Sequence, residues 1–158
     1  MLLENLAIAT GMVVGTVSLH FFGLACLIAI LRAEFATRWR EGTAFERGAT
    51  ILFTVFGLVL LHSAEIWIYA ALFISLDQFH DLETALYFST TSFTTLGYGD
   101  IVVDHSRRLV AAIESANGFL LIGWSTAFLV SVTAKMGLLE AQLERGGKPA
   151  NNWPANQP

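Results

Sequence analysis

Three apolar stretches dominate this chain, and each is long enough to cross a lipid bilayer as a helix. They run roughly from Leu6 to Leu31, from Thr50 to Leu76 and from Leu109 to Ala134. A helical crossing takes about 20 predominantly apolar residues. The charge distribution agrees with that reading. Of the 158 residues, 54% are hydrophobic and 14% charged, against about 25% charged in an average soluble domain. The charges gather between the apolar stretches. A net charge of −4 gives no support for nucleic-acid binding. The single cysteine, Cys26, cannot form an intrachain disulfide and is expected to be a buried, inert thiol. Glu4 precedes the first stretch, with no Lys or Arg ahead of it. That stretch is therefore expected to be mature structure rather than a secretory signal.

Between the second and third stretches, Asp77 to Arg108 reads as a loop that dips into the membrane. Within it, Leu82 to Thr94 has the pattern of a short helix. Asp81 can cap its start, and Glu83 lies in its first turn, where the helix dipole favours negative charge. Lys and Arg favour the cytoplasmic side of a membrane. Arg32, Arg38, Arg40 and Arg47 lie between the first two stretches, and Lys135, Arg145 and Lys148 follow the third. The opposite side holds Arg107 and Arg108. This pattern predicts an N-terminus outside, a C-terminus in the cytoplasm and the 77–108 loop at the outer face, in a plasma (bacterial inner) membrane. Phe35, Arg38 and Trp39 share helical spacing. They read either as an amphipathic helix on the membrane surface or as a solvated connector with an interfacial Trp. The tail is rich in Gly, Pro and Asn and is expected to be disordered.

The short helix runs into Thr94-Thr95-Leu96-Gly97-Tyr98-Gly99-Asp100. Five of these positions (Thr95, Gly97, Tyr98, Gly99, Asp100) fit a pattern that a given window meets by chance on the order of once in a few million. The run resembles the selectivity filter of the potassium channel family, whose usual form is Thr-Val-Gly-Tyr-Gly. Leu96 stands in place of Val, and either apolar side chain can pack away from the ion. The resemblance covers roughly Thr50 to Ala134 and is similar to that family's two-helix pore module: outer helix, pore helix, filter, inner helix. It implies an all-α membrane protein. Three transmembrane helices and a re-entrant pore helix with its filter loop would assemble as a homotetramer, since one chain supplies one pore loop. The division expected is 1–48 for an extra N-terminal helix and connector, 49–136 for the pore domain and 137–158 for a short cytoplasmic tail.

The resemblance also implies roles. K+ would be held by the carbonyls of Thr95, Leu96, Gly97 and Tyr98, with the Thr95 hydroxyl, in place of its hydration shell. Gly97 and Gly99 would supply the positive φ that aligned carbonyls need. Tyr98 would pack behind the filter, and Asp100 would stand at the outer mouth. Tyr87 and Phe88 fall where the family braces its filter with aromatics, though Phe88 lacks the N–H of the Trp often found there. Thr91 occupies a position where some relatives place a carboxylate that pairs with the outer-mouth Asp, a pair this chain cannot make. Gly118 falls at the family's gating hinge, with Gly123 below it. For both, close helix packing is an equal reading. In that register Phe119, Ile122, Thr126, Val130 and Ser131 would line the cavity or gate. Partners would be lipid, K+ and further copies of the chain. K+ is the permeant ion, and neither a resident cofactor nor enzyme chemistry is expected. The rival readings are a weakly selective monovalent cation channel, a non-conducting membrane subunit and a coupled cation transporter.

His20, His62 and Glu65 lie deep within spans, where ionisable groups are costly unless paired. Counting about 1.5 Å per residue from the inner ends puts the two histidines at nearly equal depth, with Glu65 almost a turn further out. A His–Glu contact between spans one and two is therefore expected, serving either structure or a pH-sensitive adjustment of gating. Glu114, near the outer end of span three, can bond behind the filter, stand at the mouth or snorkel to the interface. Gly11-x-x-x-Gly15 permits close helix contact in span one.

Overall fold

The computed structural model describes residues 1–38 and 44–135, and the described residues form helices and turns without strands. The order is α1 (Leu2–Arg38), α2 (Ala44–Ser75), α3 (Leu82–Phe93) and α4 (Arg108–Lys135). α1, α2 and α4 carry the three stretches long and apolar enough to cross a membrane. Each overruns the apolar stretch that predicted it, because extending a formed helix adds a hydrogen bond for every residue fixed. Phe35 and Arg38 simply continue α1. Trp39 and the tail lie outside the described residues, and so do the surface-helix and disordered-tail readings that depend on them.

α3 begins where expected. Asp81 is extended (φ −129°), and its carboxylate accepts the Thr84 N–H at 2.8 Å. Beneath the helix, Phe88 meets Phe73 edge-on at 5.2 Å and Phe79 at 5.1 Å. Such ring pairs contribute about 0.5–1.5 kcal/mol each beyond their burial, so this cluster fixes α3 against α2. At its other end α3 meets α4 at Gly118. A Cβ on Gly118 would run into the carbonyl of Phe93, so the absence of a side chain there is what lets the two helices approach.

α1 packs against both α2 and α4. Its contact with α2 is reciprocal: Gly23 receives the Leu61 side chain, and Gly57 receives that of Leu27. Gly11 and Gly15 have nothing within 4 Å of a built Cβ, so the small-residue contact expected of that pair is made lower down by Gly23. A notch matters only where a partner's large side chain fills it. Cys26 is exposed rather than buried. It lies on the opposite side of α1 from Leu24, Leu27 and Leu31, which face the other helices.

Polar contacts hold α1 to α4 at two further levels. At the top, Asn5 donates to the Ser106 carbonyl at 2.6 Å and accepts from Arg107 at 2.8 Å, while Arg107 also meets Glu4 at 2.8 Å. Lower down, Asn117 donates to Thr16 Oγ1 at 2.7 Å and to the Tyr69 hydroxyl at 3.1 Å. The first contact puts the start of α1 and the residues that follow the glycine loop at one end of the molecule.

Two glycine substitutions separate a soft neighbour from a rigid one. Gly→Ala in a helix interior gains about 0.8–1.0 kcal/mol of propensity. In Gly57→Ala the obstacle is the mobile end of Leu27, and the unfolding midpoint in detergent is expected to stay near the parent value. In Gly118→Ala the obstacle is backbone, and overpacking of about 1–3 kcal/mol is expected to lower the midpoint. Equal midpoints would count against the Phe93–Gly118 contact as a fixed point.

Candidate functional site

The residues after α3 are tied back to it through the backbone. Thr94 N–H donates to the Thr90 carbonyl at 3.1 Å, Thr95 N–H to Ser92 at 2.9 Å and Gly97 N–H to Thr91 at 3.0 Å. A helix leaves its last carbonyls without intrahelical partners, and here the loop uses them. Thr95, Gly97 and Gly99 have positive φ, at 60°, 53° and 76°. Leu96 and Tyr98, between them, do not. Alternating handedness turns successive peptide planes so that like groups face one side. At Gly97 and Gly99 a built Cβ would meet nothing within 4 Å, so backbone conformation, not space, calls for glycine. Thr95 holds the same conformation with a side chain, a strain of about 1–3 kcal/mol. The two glycines were legible as left-handed. Thr95 was not, although it continues their every-second-residue register.

Thr94 to Asp100 are exposed throughout on the single chain, with Leu96 at 56% and Tyr98 at 66%. Behind the loop, between it and α4, lies a cleft of about 310 Å³ lined by Phe88, Thr91, Gly97, Gly99, Val102 and Ala112.

The residues named as filter supports divide their work. Tyr87 donates its hydroxyl to Asp100 Oδ2 at 2.7 Å. That bond holds the Asp100 carboxyl below the usual carboxylate range, and Asp100 in turn raises the Tyr87 phenol. The outer aspartate thus has a partner even though Thr91 offers no carboxylate. Thr91 turns its own hydroxyl back to the Phe88 carbonyl at 2.9 Å and serves the loop through its backbone oxygen. Phe88 belongs to the aromatic cluster that seats α3, with an edge on the cleft.

Along α4, Phe119, Thr126, Val130 and Ser131 are exposed on the face turned away from the other helices, and Ile122 is half-buried at its margin. Gly123 is open, whereas Gly118 is enclosed by Phe93. Glu114 is wholly buried, facing Ser89 on α3, and so it does not snorkel. Its carboxyl oxygens and the Ser89 hydroxyl have no hydrogen-bond partner of normal geometry.

The intramembrane histidines and glutamate come together as the depth count required. Glu65 Oε1 is 2.9 Å from His20 Nδ1, and Oε2 is 2.9 Å from His62 Nδ1. The two imidazoles stack at 5.4 Å. His20 also touches Trp124 of α4 (ring centres 5.3 Å apart), with Nε2 3.4 Å from Ser125 Oγ. His62 faces Phe93 at 5.8 Å. Sequence reasoning missed the Thr16–Asn117–Tyr69 contact. Its signal was an amide inside an apolar helix, directly before Gly118.

Comparison with curated proteins gave no match, and comparison with solved structures gave none. Residues 61–135, slightly under half of the chain, match the family model described as "Ion channel". The matched stretch takes in the C-terminal part of α2, all of α3, the glycine loop and α4. The segment that builds the strained, exposed loop is thus similar to ion channels, and the three long apolar helices fit an integral membrane protein.

Proposed function

We propose that this chain is the subunit of a homotetrameric channel that conducts K+ passively and selectively. The observation that carries the reading is the left-handed backbone at Thr95, Gly97 and Gly99 within the Thr-Leu-Gly-Tyr-Gly run. A row of carbonyls on one edge can replace the hydration shell of a monovalent cation when several copies each contribute it. Exposed carbonyls at membrane depth are costly unless something satisfies them, and an ion column shared between copies does so. Tyr98 stands exposed and a cleft lies behind each loop, two features that neighbouring copies can bring together. Asp100, held by Tyr87, is the outer-mouth carboxylate. The exposed face of α4, with Phe119, Thr126, Val130 and Ser131, lines the inner cavity. The α3 dipole points its negative end toward the ion. The N-terminus and filter lie outside and the C-terminus inside, in the plasma membrane.

Flux from liposomes holding the purified protein tests this directly. K+ is expected to pass and Na+ is not, with barium blocking the flux. Gly99→Ala places a side chain where φ is 76°, at a cost of about 1–2 kcal/mol for that residue in every subunit, and is expected to abolish conduction. Equal K+ and Na+ flux would replace this reading with a weakly selective cation channel. Absence of any flux would replace it with a non-conducting subunit.

Tyr87→Phe tests the outer mouth. A carboxyl whose pKa is lowered stays charged until the pH falls through that lowered value. Without the phenol bond, Asp100 is expected to titrate nearer the ordinary value of about 3.9. Single-channel conductance at low K+ should then fall at a higher external pH in the variant than in the parent. Coincident titration curves would show that the bond does not govern the charge of Asp100.

A further inference from the structure

The cluster below the filter has the composition of a metal site. One ring nitrogen from each of His20 and His62 and a carboxylate oxygen of Glu65 lie within 4.8 Å of one another. Two of the residues are on α2 and the third comes from α1, 45 positions away, so the grouping is not a by-product of one helical repeat. Each carboxylate oxygen faces a different imidazole at 2.9 Å. Donors bound to Zn2+ at about 2.0–2.2 Å in a tetrahedron lie about 3.3 Å apart, so each His–Glu pair parts by a few tenths of an ångström while the widest pair of donors, within 4.8 Å, draws together. Two imidazoles and a carboxylate form a donor set that suits Zn2+ above Mg2+ or Ca2+, which favour oxygen alone.

The surroundings fit as well. Histidines that ligate metals are commonly oriented through their outer ring nitrogen, and Ser125 Oγ of α4 lies 3.4 Å from His20 Nε2. Glu65 and His20 are wholly buried, whereas the His62 side chain is 17% exposed. His62, whose Nε2 is itself buried without a hydrogen-bond partner, is the one member not wholly enclosed, and an ion with its fourth ligand, water, would reach the cluster from that side.

We propose that His20, His62 and Glu65 form a three-ligand Zn2+ site that clamps α1 to α2. The site does not depend on what the pore conducts, because binding is read without current. The clamp lies against Phe93, the last residue of α3, and Trp124 of α4. A bound ion therefore stiffens the helices around the base of the filter.

The test uses the full chain in detergent, titrated with Zn2+ by calorimetry and checked by elemental analysis after dialysis. The chain has four histidines. The other two, His80 and His105, are exposed, so the double variant His80→Gln/His105→Gln removes adventitious surface binding. One Zn2+ per chain is expected in the parent and in that double variant, with at least tenfold weaker binding in His62→Gln and Glu65→Gln. Zinc-edge X-ray absorption of the parent protein keeps the question open to refutation if those variants fail to fold. Two imidazole nitrogens and carboxylate oxygen are expected in the inner shell. No stoichiometric binding, binding lost in the surface double variant but kept in His62→Gln, or a shell of sulfur or of oxygen alone would each overturn the proposal.

Discussion

The contact between the carbonyl end of α3 and Gly118 sets where everything above it can stand. Phe93 is the last residue of α3, and the glycine loop starts at the next position. Any side chain at 118 would push Phe93 away, and the loop would move with it. Behind the contact, Phe93 also lies 6.4 Å from Tyr69 and 5.8 Å from His62, ring to ring. The base of the loop is therefore enclosed from α2 and α4 together. A glycine at this place is needed for proximity first. Whether α4 also bends there is a separate matter, and Gly123, with nothing beside it, is the freer of the two positions.

α1, which precedes the matched residues, acquires a purpose from its polar contacts. Lipid tails are as apolar as leucine, so apolar surface alone gives α1 little reason to stay with this bundle. Interhelical hydrogen bonds in membranes average only about 0.6 kcal/mol. One bond would therefore be too weak to hold it, and α1 makes such contacts at three heights: Asn5 with the loop at 106–107, Thr16 with Asn117 and His20 with Glu65. The middle contact reaches through Asn117 to Tyr69 on α2, and the lowest lies against Phe93 through His62. Each touches an element that positions the loop. α1 is thus part of the frame around the site rather than an anchor appended to it.

What could be read in advance followed from regularity. Helical rise is constant, so counting along two spans placed His20, His62 and Glu65 together before any contact was seen. Local capping chemistry likewise located Asp81 at the start of α3, and the resemblance to a selectivity filter located the left-handed glycines after it. Beyond the Asn117 contact and the left-handed Thr95, three things escaped. Cys26 was expected inside because apolar composition does not tell a lipid-facing side from a packed one. Gly11 and Gly15 permitted a contact that is not made, because a spacing does not reveal whether a large partner fills the notch. The bond from Tyr87 to Asp100 closes across an irregular loop, where no periodicity exists to count along. The supports that appeared to be missing at Phe88 and Thr91 were only half the matter, since the residue beside Phe88 supplies one.

That last bond, taken with another, accounts for how the loop keeps its shape. Tyr87 and Thr91 stand one turn apart on α3. The first grips Asp100 at the outer end of the loop through its phenol, and the second grips Gly97 near the base through its carbonyl. Between the two lie Tyr98 and the left-handed Gly99. One helix therefore holds both ends of the 97–100 segment, by a side chain at one end and a backbone carbonyl at the other. Neither end can shift relative to the other without bending α3 or breaking a bond. The aromatic cluster around Phe88 and the Phe93–Gly118 contact keep α3 from rotating. The precision of the loop is then inherited from helix packing, and the left-handed strain at Thr95 persists because the rest of the structure over-determines it.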